Sequence, residues 1–488
     1  MNRLGLLSLM TLALSGCAQI SMPLMPQVGS KVAPSITQYA VHFSGPAGNQ
    51  SNIAQTTQQS IQLQKRAQGI AANPAIDQYL NGVLARLQKS LPGTPIAARV
   101  YTTPNTEFNA TSFQDGGIYI SYKALGALES EDELAAIIAH EYSHVLLQHY
   151  KTNWIDSAAN LAYSAGNIYI NSKVKTATDT DLLRMMVTNN AALEASQIGL
   201  VPVLSRDQEN EADQLGMDLM VRANYSFSGG LSFLSRMQQW DSLNDEIQKK
   251  RKINYINLFA ESENSVIAKA IDAQIDVLEN KFAQLVRETS LHHDNGEERS
   301  KTLRTYLKRH YANAARPELL KAPYAAAMKS KNATAFFAGL DMTHISGEAL
   351  QQSKLPQALA AAQKAGENTI GPVAFTQHAL INALALNGKK KDALALLEQN
   401  VASGNALYAD NMLMISALKR SFPDKALALA QQSYDSYDSP ADLLPDLIEL
   451  NKLQKNQVAV MKYYGVCASK ALTGANKALL DNCNKAKG

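Results

Sequence analysis

One long apolar segment with polar groups at its centre constrains the fold more than any other feature of the sequence. Residues 130–150 read SEDELAAIIAHEYSHVLLQHY. Ser130 and Glu133 form the capping-box pattern that begins helices, so we expect a helix from about Glu131 to near Tyr150. The residues on either side of HEYSH are apolar, which indicates burial. The core must therefore accommodate two histidines and a glutamate.

The spacing of these polar residues suits a metal ion. His140 and His144 lie four residues apart, so on a helix both imidazoles project from one face. Zinc binds imidazole nitrogen and, in catalytic sites, keeps one position open. Glu141 lies beside that face, where a carboxylate can take a proton from an attacking water. The alternative is a purely structural helix, but burying unpartnered polar groups costs on the order of several kcal/mol.

A second acidic segment supplies the remaining ligand. In SRDQENEAD, Glu209 and Asp213 lie four residues apart, so both face one side of a second predicted helix. One of them can bind the metal, while the other accepts a hydrogen bond from the free ring nitrogen of a ligand histidine. His149 lies five residues after His144, off the ligand face, and is interpreted as structural.

Two short strands are predicted ahead of the helix that carries HEYSH, which we call the metal helix. Residues 96–101 read IAARVY and residues 116–121 read GGIYIS, both with the β-branched and aromatic content of strands. We hypothesise that the second strand, through Gly117 and Ile118, offers its edge to an extended substrate. Residues 151–200 are weakly patterned and could form either a flap or part of a helical hairpin.

A repeat emerges in the C-terminal third. Alanines recur at equivalent helix positions about every 34 residues, at Ala358, Ala393, Ala426 and Ala459. This period is typical of tetratricopeptide repeats, whose helix pairs stack into a solenoid. The alternative is an irregular alanine-rich bundle. The chain is therefore predicted to be mainly α: a helical metal domain with a small sheet over residues 51–285, a helical connector over 286–310 and a TPR-like solenoid over 311–488.

The N-terminal residues indicate export. Arg3 precedes an apolar stretch of eleven residues, 4–14, which is too short to span a bilayer and is typical of a signal peptide. LSGC then resembles a bacterial lipobox. The resemblance implies that residues 1–17 are a signal ending in a lipid-modified Cys17, with outer-membrane sorting and residues 18–50 as a flexible tether. A plain secretory signal is the alternative.

Cysteine usage agrees with an exported protein. With Cys17 acylated, Cys467 and Cys483 remain, and such a pair could form one disulfide in an oxidising periplasm. Alternatively, both are small buried residues. The net charge is only +3 and there is no long basic run, so a nucleic-acid partner has no electrostatic support.

HEYSH followed by SRDQENEAD resembles the gluzincin metallopeptidases of the HtpX and CAAX-prenyl-protease type. Their second motif, E-x-x-A-D, is matched by Glu209, Ala212 and Asp213, and Asn109-Ala110 also fits their pattern. With repeats behind such a domain, the chain looks like the periplasmic β-barrel-assembly-enhancing subgroup. That subgroup often carries a His-Pro pair on a loop that closes over the zinc. This sequence has no His-Pro pair, which leaves that form of regulation open.

The resemblance implies one Zn²⁺ per chain, held by His140, His144 and Glu209, with Glu141 as general base and Asp213 behind a ligand. Asn109 would contact substrate. The implied function is an envelope endopeptidase acting on misfolded or stalled envelope proteins, with the repeats contacting the outer-membrane assembly machinery and the lipid anchor as the only membrane contact. The alternative is a chaperone-like binding protein whose metal site is silent or structural.

Overall fold

The computed structural model describes residues 69–91, 95–113, 115–149, 204, 206–260, 296–368, 373–437, 439–473 and 477–488. The lipobox Cys17, the tether and the segment 151–200 lie outside the described residues. The chain is mainly α-helical with one small sheet, as predicted. In chain order the elements are α1 (Pro74–Gln88), β1 (Arg99–Thr103), β2 (Ala110–Ser112), β3 (Gly117–Ser121), α2 (Tyr122–Ala127), α3 (Glu131–Leu147), α4 (Arg206–Arg222), α5 (Phe227–Ala260), α6 (Gly296–His310), α7 (Lys321–Met328), α8 (Lys331–Gln351), α9 (Leu355–Asn368), α10 (Ala374–Leu386), α11 (Lys390–Ser403), α12 (Tyr408–Leu418), α13 (Pro423–Ser436), a 3-10 turn (Ala441–Leu443), α14 (Leu444–Leu453), α15 (Gln457–Thr473) and α16 (Lys477–Lys487).

The sheet has three strands in the order β1-β3-β2. Strand β3 runs parallel to β1 and antiparallel to β2, and it is buried at every position because it lies between the other two. The prediction that Gly117 and Ile118 offer a free edge to a substrate is therefore wrong. Both residues pair with β1, Ile118 also pairs with Ser112 of β2, and the edge strand next to the metal helix is β2.

The metal helix α3 begins as its sequence predicts. The hydroxyl of Ser130 accepts a hydrogen bond from the backbone N–H of Glu133 at 3.2 Å. The helix ends at Leu147, slightly earlier than predicted, because Gln148 adopts a left-handed conformation with φ of 55°. This residue turns the chain back on itself, and His149 N–H donates to the carbonyl of His144. The reversal places a third histidine behind the motif.

Close helix packing brings the second acidic segment to α3. Helix α4 packs along α3, and α5 and α1 cover its other sides. At the crossing, a Cβ on Gly216 would lie only 3.2 Å from the backbone nitrogen of His140. Such a distance is tighter than ordinary van der Waals contact, so glycine allows α4 to approach the motif closely. Helix α4 can thereby aim its first two turns at the histidines.

The C-terminal helices pack in consecutive pairs, α8 with α9, α10 with α11, α12 with α13 and α14 with α15. Ala358, Ala393 and Ala426 are buried where these helices meet, and Ala459 is partly buried. Small side chains at these positions allow close helix contact, as the repeat hypothesis requires. Whether these pairs are tetratricopeptide repeats stays a prediction.

One apolar core crosses the predicted domain boundaries. Helix α6, within the predicted connector, packs against α4 and α5. Helices α7 and α8, within the predicted repeat domain, contribute side chains to the same core as α3. These side chains are Tyr324, Met328, Phe336 and Leu340. Within the described part of the chain, no helix combines the length and hydropathy needed to cross a bilayer.

Candidate metal centre

The structure brings together all three predicted ligands. His140 Nε2 and His144 Nε2 are 3.1 Å apart. The Glu209 carboxylate reaches them from α4, with Oε2 at 3.5 Å from His140 Nε2 and Oε1 at 3.7 Å from His144 Nε2. All three side chains are buried, and among the described residues they form the only group of three or more potential metal ligands.

These separations fit a tetrahedral zinc ion. Zinc–nitrogen and zinc–oxygen distances of about 2.0–2.2 Å place neighbouring ligand atoms roughly 3.3 Å apart. The two imidazole nitrogens are 3.1 Å apart, and Glu209 presents a different oxygen to each of them, Oε2 at 3.5 Å to His140 and Oε1 at 3.7 Å to His144. Two nitrogens and one carboxylate also match the donor set of catalytic zinc sites, with the fourth position left for water or substrate. The three side chains are therefore placed where they could hold a metal ion.

Asp213 and Arg299 lie behind His140. Asp213 Oδ1 is 2.9 Å from His140 Nδ1, on the ring side opposite the ligand cluster. Arg299, from α6, donates two hydrogen bonds to the Asp213 carboxylate at 2.8 and 2.7 Å, and its Nη1 lies 3.4 Å from Glu209. The guanidinium thus fixes one carboxylate and balances the charge of the other.

His144 has a different group behind it. Its Nδ1 lies 3.2 Å from Nδ1 of His149, whose Nε2 lies 3.1 Å from the carboxylate of Glu211. With Nε2 of His144 facing the ligand cluster, its Nδ1–H donates to His149 and His149 Nε2–H donates to Glu211. His149 therefore contacts His144, one of the candidate metal ligands, whereas its spacing in the sequence predicted only a structural role.

Glu141 follows His140 directly on α3, and its carboxylate is held by β2. The hydroxyl of Ser112, on β2, donates to Glu141 Oε2 at 2.9 Å and so fixes the carboxylate. Burial raises the pKa of Glu141 above its ordinary value, although the neighbouring His140 lowers it. A buried carboxylate with a raised pKa is better matched to proton transfer near neutral pH than an exposed one.

Burial and neighbouring charges shift the pKa values of all three candidate ligands. Burial opposes charge on His140, but contacts with Asp213 and Glu209 outweigh it and raise the pKa to about 10. For Glu209, burial is outweighed by Arg299 and the two histidines, which hold its pKa well below the usual range. Burial and the neighbouring His140 lower the pKa of His144. The site therefore carries an anionic carboxylate and a neutral imidazole, and binding a cation would displace the proton from His140.

Sequence reasoning did not locate Ser112 or Arg299, and it assigned His149 no contact with the site. Arg299 lies 86 residues after Asp213, outside any motif, and no local pattern marks it. His149 reaches the site only because Gln148 reverses the chain. Asn109, predicted to contact substrate, pairs its backbone with Ser121 of β3.

Comparison with known proteins agrees with this geometry. Residues 72–265 match the model of peptidase family M48. The β-barrel assembly-enhancing protease of Escherichia coli O157:H7 is 23% identical over 198 residues, 39% of each chain. The Yersinia pestis protein of that name is 24% identical over 165 residues, 34% of this chain and 33% of that one.

A third relative is shorter. Metalloprotease YcaL of E. coli K12 is 27% identical over 150 residues, 30% of this chain and 54% of that protein. The alignment with the E. coli O157:H7 assembly-enhancing protease spans about two fifths of that protein's length. The region that matches the M48 model, residues 72–265, contains both α3 and α4, so it includes every candidate ligand. Residues 72–265 therefore resemble peptidase family M48, and part of the chain is similar to the β-barrel assembly-enhancing proteases.

Proposed function

We propose that this chain is a zinc-dependent endopeptidase of the bacterial envelope that hydrolyses misfolded or stalled envelope proteins. The observation that carries the proposal is the convergence of three ligand atoms, from two helices, at the spacing of a tetrahedral zinc site with Glu141 beside it. Zinc, when bound, would polarise the scissile carbonyl and lower the pKa of the attacking water. The envelope location rests on the N-terminal sequence and on the names of the relatives.

The residues of this chain supply the remaining chemistry. Glu141 takes a proton from the attacking water and returns it to the leaving amine, which is the usual role of a general base and acid. Ser112 holds the carboxylate in place from β2. Asp213 and His149 keep the Nδ1 atoms of the ligand histidines engaged, so that both Nε2 atoms face the ion.

The edge of β2 is the surface on which we place the substrate. A peptide in extended conformation can add to an exposed sheet edge through backbone hydrogen bonds, with little dependence on its side chains. Recognition of this kind suits proteins that have lost or not reached their folded state, because their backbone is accessible. The helical pairs at the C-terminus would supply a second binding surface, and the outer-membrane assembly machinery is the proposed partner there.

The substitution Glu141→Gln tests the proposal. We expect cleavage of an unfolded protein substrate to fall at least about 100-fold, because a general base contributes roughly 10²–10⁴ to the rate. One zinc per chain should remain, as measured by metal analysis. Glu129→Gln, at an exposed glutamate paired with Arg236, is the matched control and should keep full activity.

Metal analysis of His140→Ala completes the test. This variant should lose both zinc and activity, because one of three protein ligands is removed. A wild-type protein that binds no zinc, or a Glu141→Gln protein that cleaves at the wild-type rate, would contradict the proposal. Full rescue of a null strain by Glu141→Gln would instead favour the binding function, with the helical pairs as the active part.

A further inference from the structure

Only a short part of the β2 edge has backbone groups without hydrogen-bond partners among the described residues. Backbone groups in an antiparallel pair alternate between the partner strand and the outside. Asn109, Thr111 and Phe113 direct their backbone groups to β3, as their hydrogen bonds and register show. Ala110 and Ser112 therefore turn their N–H and C=O groups outward. Among the described residues, no group bonds to these outward atoms.

The next outward position along this line is already occupied. Phe108 N–H donates to Asn244 Oδ1 at 2.9 Å, and Asn244 Nδ2 donates to the Phe108 carbonyl at 3.1 Å. One side-chain amide thus makes both hydrogen bonds that a residue of a neighbouring strand would make. Trp240, one turn earlier on α5, stacks on the Phe108 ring at 5.3 Å and keeps the two segments together.

The opposite edge of the sheet uses the same arrangement. Asn81 of α1 accepts from Val100 N–H and donates to the Val100 carbonyl, both at 3.0 Å. The N–H of Ala71 donates to the carbonyl of Thr102, so this edge of β1 is covered further. Edge strands are commonly protected from pairing with other chains. On β1 the protection extends along the strand, whereas on β2 it stops at Phe108 and leaves Ala110 and Ser112 uncovered among the described residues.

We propose that Asn244 determines substrate specificity by ending the peptide-binding edge at Ala110. This inference rests on the proposed peptidase function. A bound peptide pairs with Ala110 and Ser112, and at Phe108 it meets the Asn244 amide and must leave the plane of the sheet. Phe108 lies four residues from Ser112, about 13 Å along the strand, so the limit acts within a few residues of the scissile bond. Lengthening a bound peptide past this point then adds no backbone hydrogen bonds to the sheet and does not raise its affinity.

Two series of fluorescent, unstructured peptides test the proposal, one lengthened at the N-terminus and one at the C-terminus. Dissociation constants are measured on zinc-loaded Glu141→Gln protein, which holds peptides without cleaving them. For the background variant, affinity should stop improving with length in the series that extends towards Phe108. Adding Asn244→Ala should let that series improve by a further threefold or more, since two ladder hydrogen bonds become available. The other series should not change.

Control variants separate this role from a structural one. Asn81→Ala removes the same kind of amide from the other edge and should leave both length series unchanged. Asn244→Leu removes the hydrogen bonds but fills the position, so it should keep the limit. An equal change in both series with Asn244→Ala, or no change in either, would overturn the inference while leaving the proposed function intact. No peptide binding by zinc-loaded protein of any length, together with no cleavage by wild type, would overturn both.

Discussion

At the scale of single residues, the two ligand histidines are supported by different groups. His140 has a carboxylate behind it that is itself held by an arginine, whereas His144 has a second histidine that is held by a glutamate. Both arrangements place a polar partner at Nδ1 and leave Nε2 for the ion. Partners of this kind typically affect metal affinity or activity by about 10- to 100-fold when removed.

His149→Ala should therefore weaken zinc binding by about 10- to 100-fold, because His144 loses the partner that fixes its ring. Competition against a chromophoric chelator measures this affinity directly. His378→Ala is the matched control, since His378 is another buried histidine whose Nδ1 contacts a carboxylate, Asp410, at 2.6 Å. It lies in the C-terminal helices and should leave zinc affinity unchanged. Equal affinities for the wild type and His149→Ala would contradict the assignment.

Arg299→Met should destabilise the folded protein by about 3–5 kcal/mol, because the buried carboxylates of Asp213 and Glu209 lose one of the two cations beside them and keep only protonated His140. Urea unfolding of the zinc-free protein measures the loss. Adding Asp213→Asn should recover part of it, since one uncompensated charge is then removed. If the double variant were no more stable than the single one, charge compensation would not be the role of Arg299.

The ligands could be predicted from the sequence because each pair lies four residues apart within one helix. Helical geometry alone places His140 with His144, and Glu209 with Asp213. The supporting residues could not be predicted in this way. Arg299 arrives from a distant helix, and His149 depends on a left-handed residue that the sequence does not mark.

At the scale of secondary-structure elements, the order of the strands determines which strand lies at the edge of the sheet. The segment Gly116–Ser121 was correctly predicted to be a strand, but its composition suits a central strand as well as an edge strand. The edge is the short β2, which lies outside both segments predicted to be strands. Strand order depends on contacts between distant segments, and a single sequence does not show which segments those are.

The last helix offers a test at this scale. The structure joins Cys467 of α15 to Cys483 of α16 by a disulfide with a sequence separation of 16. A loop of that size contributes about 3 kcal/mol to stability. Reduction should therefore increase amide hydrogen exchange in α16, while exchange in α3 stays unchanged. If reduction left amide exchange in α16 unchanged, helix packing alone would be sufficient to hold α16 in place.

At the scale of the whole molecule, the metal domain and the first C-terminal helices are joined by more than the chain. Asp341 of α8 accepts hydrogen bonds from Tyr122 and Lys123 of α2, both at 2.6 Å. His344, one turn later, contacts the carbonyl of Pro104 at 2.6 Å, in the loop that leads to β2. Helix α8 therefore contacts both α2 and the loop that leads to β2.

A chain ending at residue 310, the predicted end of the connector, should fold poorly. It lacks Tyr324, Met328, Phe336 and Leu340, all buried in the core around α3. Each such side chain contributes about 1.5–3 kcal/mol when buried, and four together rival the 5–15 kcal/mol typical of a whole domain. A chain ending at Asn387, after α10, keeps them and should unfold cooperatively. Equal thermal stability of the two fragments would show that the core does not depend on α7 and α8.

Because the core around α3 includes side chains of α8, this helix has to be kept when the metal domain is fused to a different binding domain. A splice at the apparent junction near residue 310 would discard the aromatic side chains that fill the space beneath α2, together with the acceptor that holds Tyr122. The transplantable unit has to include α8 and the start of α10, where Val373 and Phe375 end the shared core. Chimeras should therefore be joined beyond α10, where the described helices pack mainly against their neighbours in the C-terminal array.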